Sequence, residues 1–174
     1  MNSIGNTLHF FASVALGLGL YFRFMGTNVG FNLSKKEILK EFVLMDSSSN
    51  PHSVNEWQGK IRIINFWATW CPSCLKEIPD FIALQEQYSE RNIQFIGVAI
   101  DNKESVEKFI YSKTINYPIL LAENEGLILA HQLGNVMNIV PYTIIVNQQG
   151  VIVKQYQGEV NKDELLKIIE SLVQ

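Results

Sequence analysis

The stretch from Ile61 to Cys74 constrains this chain more than any other. Ile61, Ile63, Ile64 and Phe66 form an apolar run of strand length, and a segment with helical character begins beside Cys71. Between them stand Trp67, Ala68, Thr69 and Trp70, followed by Cys71-Pro72-Ser73-Cys74. The two cysteines are the only ones among 174 residues, and they sit where strand gives way to helix.

That placement has chemical consequences. Cysteines at i and i+3 of a first helical turn occupy neighbouring corners, close enough for a disulfide if the geometry suits. The helix N-terminus supplies unpaired N–H groups and a partial positive charge, which favour a thiolate at Cys71 and lower its pKa below about 8.5. Pro72 suits the first turn, where its missing N–H is not needed. A Cys71 thiolate attacks a disulfide, and Cys74, a turn deeper, resolves the mixed disulfide. By spacing alone the pair also reads as half a zinc site or a structural disulfide. A zinc site needs four ligands, and the chain adds only His9, His52 and His131, the first in an apolar leader.

The run Phe66-Trp67-Ala68-Thr69-Trp70-Cys71-Pro72-Ser73-Cys74 resembles the active site of the thioredoxin superfamily. Pro79, five residues after Cys74, matches the proline inside that family's active-site helix. Val140-Pro141, ahead of the strand Tyr142–Val146, matches its cis-proline. Over residues 40–174 the chain is most similar to the membrane-tethered TlpA/ResA-like thiol-disulfide reductases.

The resemblance implies an α/β fold: a thioredoxin-like three-layer architecture with a central mixed sheet, an N-terminal β-hairpin and a helix–strand insertion at residues 103–122. It implies catalysis through Cys71 and Cys74 with no cofactor beyond their redox-active disulfide and no metal. Trp70, Pro72, Val140 and Pro141 become substrate contacts, with the Val140 backbone pairing with an extended client segment. Trp70 reads equally well as a plain core residue. Where thioredoxin carries a buried acid six residues before the first cysteine, this chain has Asn65, which cannot take a proton. The related branch instead uses a glutamate at the position of Glu77, one turn past Cys74. A partly buried carboxylate there has a raised pKa and accepts a proton as Cys74 attacks; the alternative is a solvent-facing surface Glu. Tyr142 stands where many relatives have Thr and bears on substrate fit. His131 and His52 carry no evident chemistry.

The periodicities fill in the rest. Glu41–Asp46 reads as a first strand and Ser47–Pro51 as a turn. The active-site helix runs to Tyr88, and Ile93–Ile100 is a near-continuously apolar, buried strand. Asp101 or Asn102 caps a helix, Pro118–Ala122 is a strand, and Gly126–Leu133 is helical. Val151–Tyr156 returns beside Tyr142–Val146, and Asn161 with Glu164 forms a capping box for the last helix.

The net charge of −3 and the lack of a basic run exclude nucleic acid as a partner. Residues 1–25 read as an N-terminal transmembrane anchor, residues 26–39 as a tether and residues 40–174 as the thioredoxin-like domain. Ile4 to Met25 is long enough to span a bilayer and holds one charge, Arg23. A cleaved signal peptide is the alternative, but no basic n-region or A-x-A site is present. Arg23, Lys35 and Lys36 follow the span, which by the positive-inside rule would keep the domain in the cytoplasm. The resemblance instead implies a bacterial inner-membrane protein facing the periplasm, and we follow it. The expected activity is reduction of disulfides in client proteins, in cytochrome c or copper-site maturation, with electrons from a membrane thiol relay. The alternatives are a copper-binding chaperone on the same fold and a disulfide oxidase. A thiol peroxidase fails because Ile64 occupies the place of its required proline.

Overall fold

The structure is a computed structural model and describes residues 37–173. In chain order they form β1 (Val43–Asp46), β2 (Pro51–Ser53), a 3-10 turn (Val54–Trp57), β3 (Ile61–Trp67), α1 (Pro72–Tyr88), β4 (Ile93–Ala99), α2 (Lys103–Ser112), β5 (Ile119–Leu121), α3 (Glu125–Gln132), β6 (Tyr142–Val146), β7 (Ile152–Gln157) and α4 (Lys162–Val173).

The strands form one mixed sheet in the order β2-β1-β5-β4-β3-β6-β7. β3, β4 and β5 run parallel, while β6 lies antiparallel to β3 and β1 antiparallel to β5. The β1–β2 hairpin closes one edge, and α2 with β5 is the expected insertion. This is the three-layer α/β architecture of a thioredoxin-like fold.

β3 is buried along its whole length, as a central parallel strand must be. Its residues alternate between two cores. Ile61, Ile63 and Trp67 pack with Ile78, Phe81 and Leu84 of α1 and with Leu165 and Ile169 of α4. Ile64 and Phe66 pack on the other side with Ala130 of α3, Leu133 and Tyr142. Each large apolar side chain so buried contributes roughly 1.5–3 kcal/mol. Asn65 shares the face of Ile63 and Trp67, so a polar side chain is driven toward α1. The Ile100 N–H donates to the Trp67 carbonyl at 2.7 Å, joining the C-terminal ends of β3 and β4. Loops from several elements converge at that end, where open α/β sheets place their sites.

Four local expectations change. Ile38 and Leu39 were read as tether, yet Ile38 bridges to Val151 and the Leu39 N–H donates to the Gly150 carbonyl at 2.9 Å. Leu39 is buried, which is why this short polar-flanked segment docks on the sheet. Pro51, expected in the turn, instead opens β2; three residues are too few to show a period, and pairing with β1 makes β2 the second arm of the expected hairpin. Tyr142 was read as bearing on substrate fit. It is fully buried beside Phe66, its hydroxyl donating to the Leu133 carbonyl at 2.6 Å, so it supports the loop and does not face a client. Glu164 was read as the partner in a capping box; its carboxylate instead takes the Tyr156 hydroxyl at 3.0 Å, while Asn161 does accept the Asp163 N–H at 2.9 Å. Among the described residues no helix is long and apolar enough to cross a membrane. The span expected at Ile4–Met25 lies outside them.

Candidate active site

Cys71 is the N-cap of α1, with extended backbone at φ −97° and ψ 103°. Its Sγ accepts the Cys74 N–H at 3.2 Å, so the sulfur satisfies one of the orphan donors of the helix N-terminus. The sulfurs of Cys71 and Cys74 are bonded at 2.14 Å, with Cα atoms 5.3 Å apart. Cys71 is 4% exposed and Cys74 0%, so Cys71 is the more accessible of two well-covered residues. The Ser73 hydroxyl lies 3.5 Å from Cys71 Sγ and can donate to it.

The loop before Cys71 is pinned from the segment that follows β4. One Asp101 oxygen accepts the Thr69 N–H at 3.2 Å and also the Thr69 hydroxyl. This fixes Trp70, which is 66% exposed and therefore no core residue. Trp70, Ile100, Asp101 and Leu127 line a cleft of about 390 Å³. Pro72 is exposed at the first position of α1.

On the opposite side, the Val140–Pro141 peptide bond is cis. The Val140 carbonyl oxygen is 3.6 Å from Cys71 Sγ. Val140 is half-buried and Pro141 buried. Fully buried Asn135 shapes this loop: its amide nitrogen donates to the Ile139 carbonyl at 2.8 Å, and its amide oxygen accepts the Ile139 N–H at 3.3 Å.

Beneath the disulfide lies Glu77, only 3% exposed, so the surface alternative does not hold. Its two oxygens accept the Val160 N–H at 2.5 Å and the Asn65 amide at 3.4 Å. Burial pushes its pKa up to about 7 and the Glu159 charge adds to this, while those two donors act against it. Burial also raises the Tyr117 phenol, and the negative charge of Glu77 adds to that effect. Cys74 and Glu77 are i, i+3 neighbours on α1.

The structure thus gathers Trp70, Pro72, Cys71, Cys74, Val140 and Pro141 at one end of the sheet, with Glu77 below. Sequence reasoning missed Asp101, Asn135, Thr143 and Val160. Asp101 was read only as a helix cap. Thr143 and Val160 act through contacts distant in sequence, and Asn135 through a loop closure to Ile139 four residues on. His131 is exposed, while His52 is held between Glu56 and Asp46, far along the sheet order from the disulfide strand.

Comparison with known proteins agrees with this geometry. The Redoxin family profile matches residues 34–171. Thiol-disulfide oxidoreductase ResA of Geobacillus kaustophilus is 27% identical over 133 residues, covering 76% of this chain and 74% of that protein. ResA of Halalkalibacterium halodurans is 28% identical over 159 residues, covering 91% and 87%. Among solved structures, a thioredoxin-family thiol:disulfide interchange protein from Chlorobium tepidum superposes with a TM-score of 0.72 at 24% identity, covering 81% of this chain and 99% of that one. The chain therefore belongs to the Redoxin family and is a thiol-disulfide oxidoreductase of the ResA/TlpA-like branch of the thioredoxin superfamily.

Proposed function

We propose that this protein reduces disulfides of periplasmic client proteins while tethered to the inner membrane by residues 1–25, in cytochrome c or copper-site maturation. The observation that carries the reading is the Cys71–Cys74 disulfide at the head of α1, with the Val140 carbonyl 3.6 Å from Cys71 Sγ. In the reduced protein the Cys71 thiolate attacks one sulfur of a client disulfide. That S–S bond breaks, a Cys71–client mixed disulfide forms, and the other client sulfur leaves as thiolate. Cys74 then gives its proton to Glu77 and attacks Cys71 Sγ. The intramolecular disulfide forms and the second client sulfur leaves. Two electrons have passed from the cysteine pair to the client, and a membrane dithiol relay restores them.

Trp70, Pro72 and the Val140–Pro141 loop frame the client. Val140 offers main-chain pairing to an extended segment, and Trp70 a flat apolar contact. The short α2–β5 insertion, in place of the large helical domain of the strong periplasmic oxidants, supports the reducing direction. The deciding experiment expresses Cys71→Ser and Cys74→Ser and runs cell extracts on non-reducing gels. Cys74→Ser should accumulate mixed disulfides whose partners identify the clients, and Cys71→Ser should not. Trapping by Cys71→Ser alone reverses the nucleophile. A reduction potential at or above about −120 mV, the level of the strong oxidant, would make the protein an oxidase instead.

A further inference from the structure

Asn65 is a buried polar residue on the central strand, 4% exposed, and the reaction outlined above gives it no task. Its partner across the β3–β6 ladder is Thr143, which is fully buried. The Asn65 Nδ2 donates both to Thr143 Oγ1 at 2.9 Å and to Glu77 Oε2 at 3.4 Å. The first bond is short and the second long, so the amide is anchored to the sheet and reaches from there to the helix.

We propose that Asn65, held by Thr143, is the positioning residue that keeps Glu77 hydrogen-bonded in both of its protonation states. An amide carries a donor on one side and an acceptor on the other, with nearly the same shape. With Glu77 ionised, Nδ2 faces the carboxylate, as observed. With Glu77 protonated, a half-turn of the amide presents Oδ1 to the new O–H. Thr143 serves either arrangement, because a hydroxyl both accepts and donates. The amide does this without adding charge, so a buried carboxyl can gain and lose a proton without leaving a polar group unpaired.

The other groups facing Glu77 cannot do so. From the loop between β7 and α4 come the Val160 N–H, a donor only, and the like charge of Glu159, half-exposed and 3.8 Å from Lys76 of α1. From the segment before β5 comes Tyr117, buried. On α1 itself the neighbour one turn back is Cys74. The proposal rests on Glu77 being the proton acceptor for Cys74.

The test follows the pH dependence of thiolate absorbance and of the resolution of a preformed mixed disulfide. It compares the unmutated protein, Glu77→Gln, Asn65→Asp, Thr143→Val and the Asn65→Asp/Glu77→Gln double variant. Asn65→Asp should raise proton affinity at this site tenfold or more, a shift of about one pH unit, because two buried carboxylates so close share a proton. Thr143→Val should shift the profile in the same direction by about threefold, through a misplaced amide. The double variant, with the carboxyl on β3 and the amide on α1, should regain the pH-dependent resolution that Glu77→Gln loses. A wild-type profile in Asn65→Asp, or a double variant no better than Glu77→Gln, overturns the proposal and leaves the Glu77 reading intact. A wild-type profile in Glu77→Gln overturns both. Should the variants fail to fold, NMR of the unmutated protein decides: the Asn65 side-chain amide should titrate together with the Glu77 carboxyl, and a pH-invariant amide overturns the proposal.

Discussion

Cys71 Sγ and the Val140 carbonyl oxygen, 69 residues apart in sequence, approach to 3.6 Å. A disulfide sulfur has no proton to donate, so this is a contact imposed by the two loops. β3 and β6 are neighbours in the sheet, and the head of α1 and the loop entering β6 therefore share one end of it. On the proposed function, a client disulfide meets Val140 as it approaches Cys71.

The first prediction concerns the loop that carries Val140. Asn135→Ala removes both bonds to Ile139 and leaves the half-buried Ile139 N–H and carbonyl unpaired. Stability should fall by about 1–3 kcal/mol in urea titration. The KM for a protein client should rise more than that for a small soluble disulfide, since only the former needs the Val140 backbone in place. Equal effects on both substrates would confine Asn135 to a folding role.

A second prediction concerns Trp70. With 66% of it exposed, Trp70→Ala should change stability by less than about 0.5 kcal/mol. If the ring contacts clients, KM for a protein client should rise about tenfold, as for aromatic anchors in interfaces. Steady-state kinetics with a trapped-and-identified client would measure this, and an unchanged KM would remove Trp70 from the contact surface.

The chemistry at the centre was legible because it is local. Cys71, Pro72 and Cys74 adjoin in sequence, and a strand leading into a helix places them. Pro79 and Pro141 are visible because proline fixes backbone wherever it stands. The insertion was legible too, as α2 and β5 each carry their own apolar pattern. What stayed hidden depends on distant pairing. Glu77 is buried because the Val160 N–H, 83 residues on, closes over it. Thr143 meets Asn65 only through the β3–β6 register, which no local pattern announces. Tyr142 was misjudged for the same reason: the register sets it opposite Phe66, on the face away from α1.

A third prediction concerns the β1–β2 hairpin. His52 Nδ1 is 2.9 Å from Glu56 Oε2 and Nε2 is 3.3 Å from Asp46 Oδ2, so the doubly protonated ring satisfies both carboxylates. Hydrogen bonding to Glu56 raises the His52 pKa above 6.5. The Asn50 backbone N–H lowers Asp46 below 3.8, and His52 lowers Glu56 below 4.5. The raised histidine contributes stability that is complete below pH 6.5 and lost as pH rises through its folded value. The lowered carboxylates contribute above their unfolded values and lose it as pH falls through their folded ones. The clasp should therefore be tightest in the acid range between the two. Hydrogen exchange at the Val54 amide, bonded to the Phe42 carbonyl at 3.0 Å, should show more frequent opening above that window after correction for intrinsic rates. His52→Gln should abolish this dependence; its persistence would assign the effect to another group.

The fourth prediction takes Glu77 as a stability group. Its folded pKa of about 7 lies above the ordinary value of 4.5, because burial disfavours the charge. Between these values the folded protein binds more protons than the unfolded chain, so stability falls as pH rises from 4.5 toward 7. Below 4.5 both states are protonated and the contribution is complete. Glu77→Gln keeps the shape and an acceptor for Val160 but cannot ionise. The variant should therefore match the unmutated protein at low pH and exceed it at about pH 8 by up to about 3 kcal/mol. Urea titrations of the oxidised forms at both pH values would measure the difference, with the disulfide held constant. A variant less stable at high pH would mean that the donors from Val160 and Asn65 outweigh the burial of the charge. A stabilising Glu77→Gln that slows mixed-disulfide resolution would show why a buried carboxyl is kept there: its unfavourable charge is what makes it a ready proton acceptor beside Cys74.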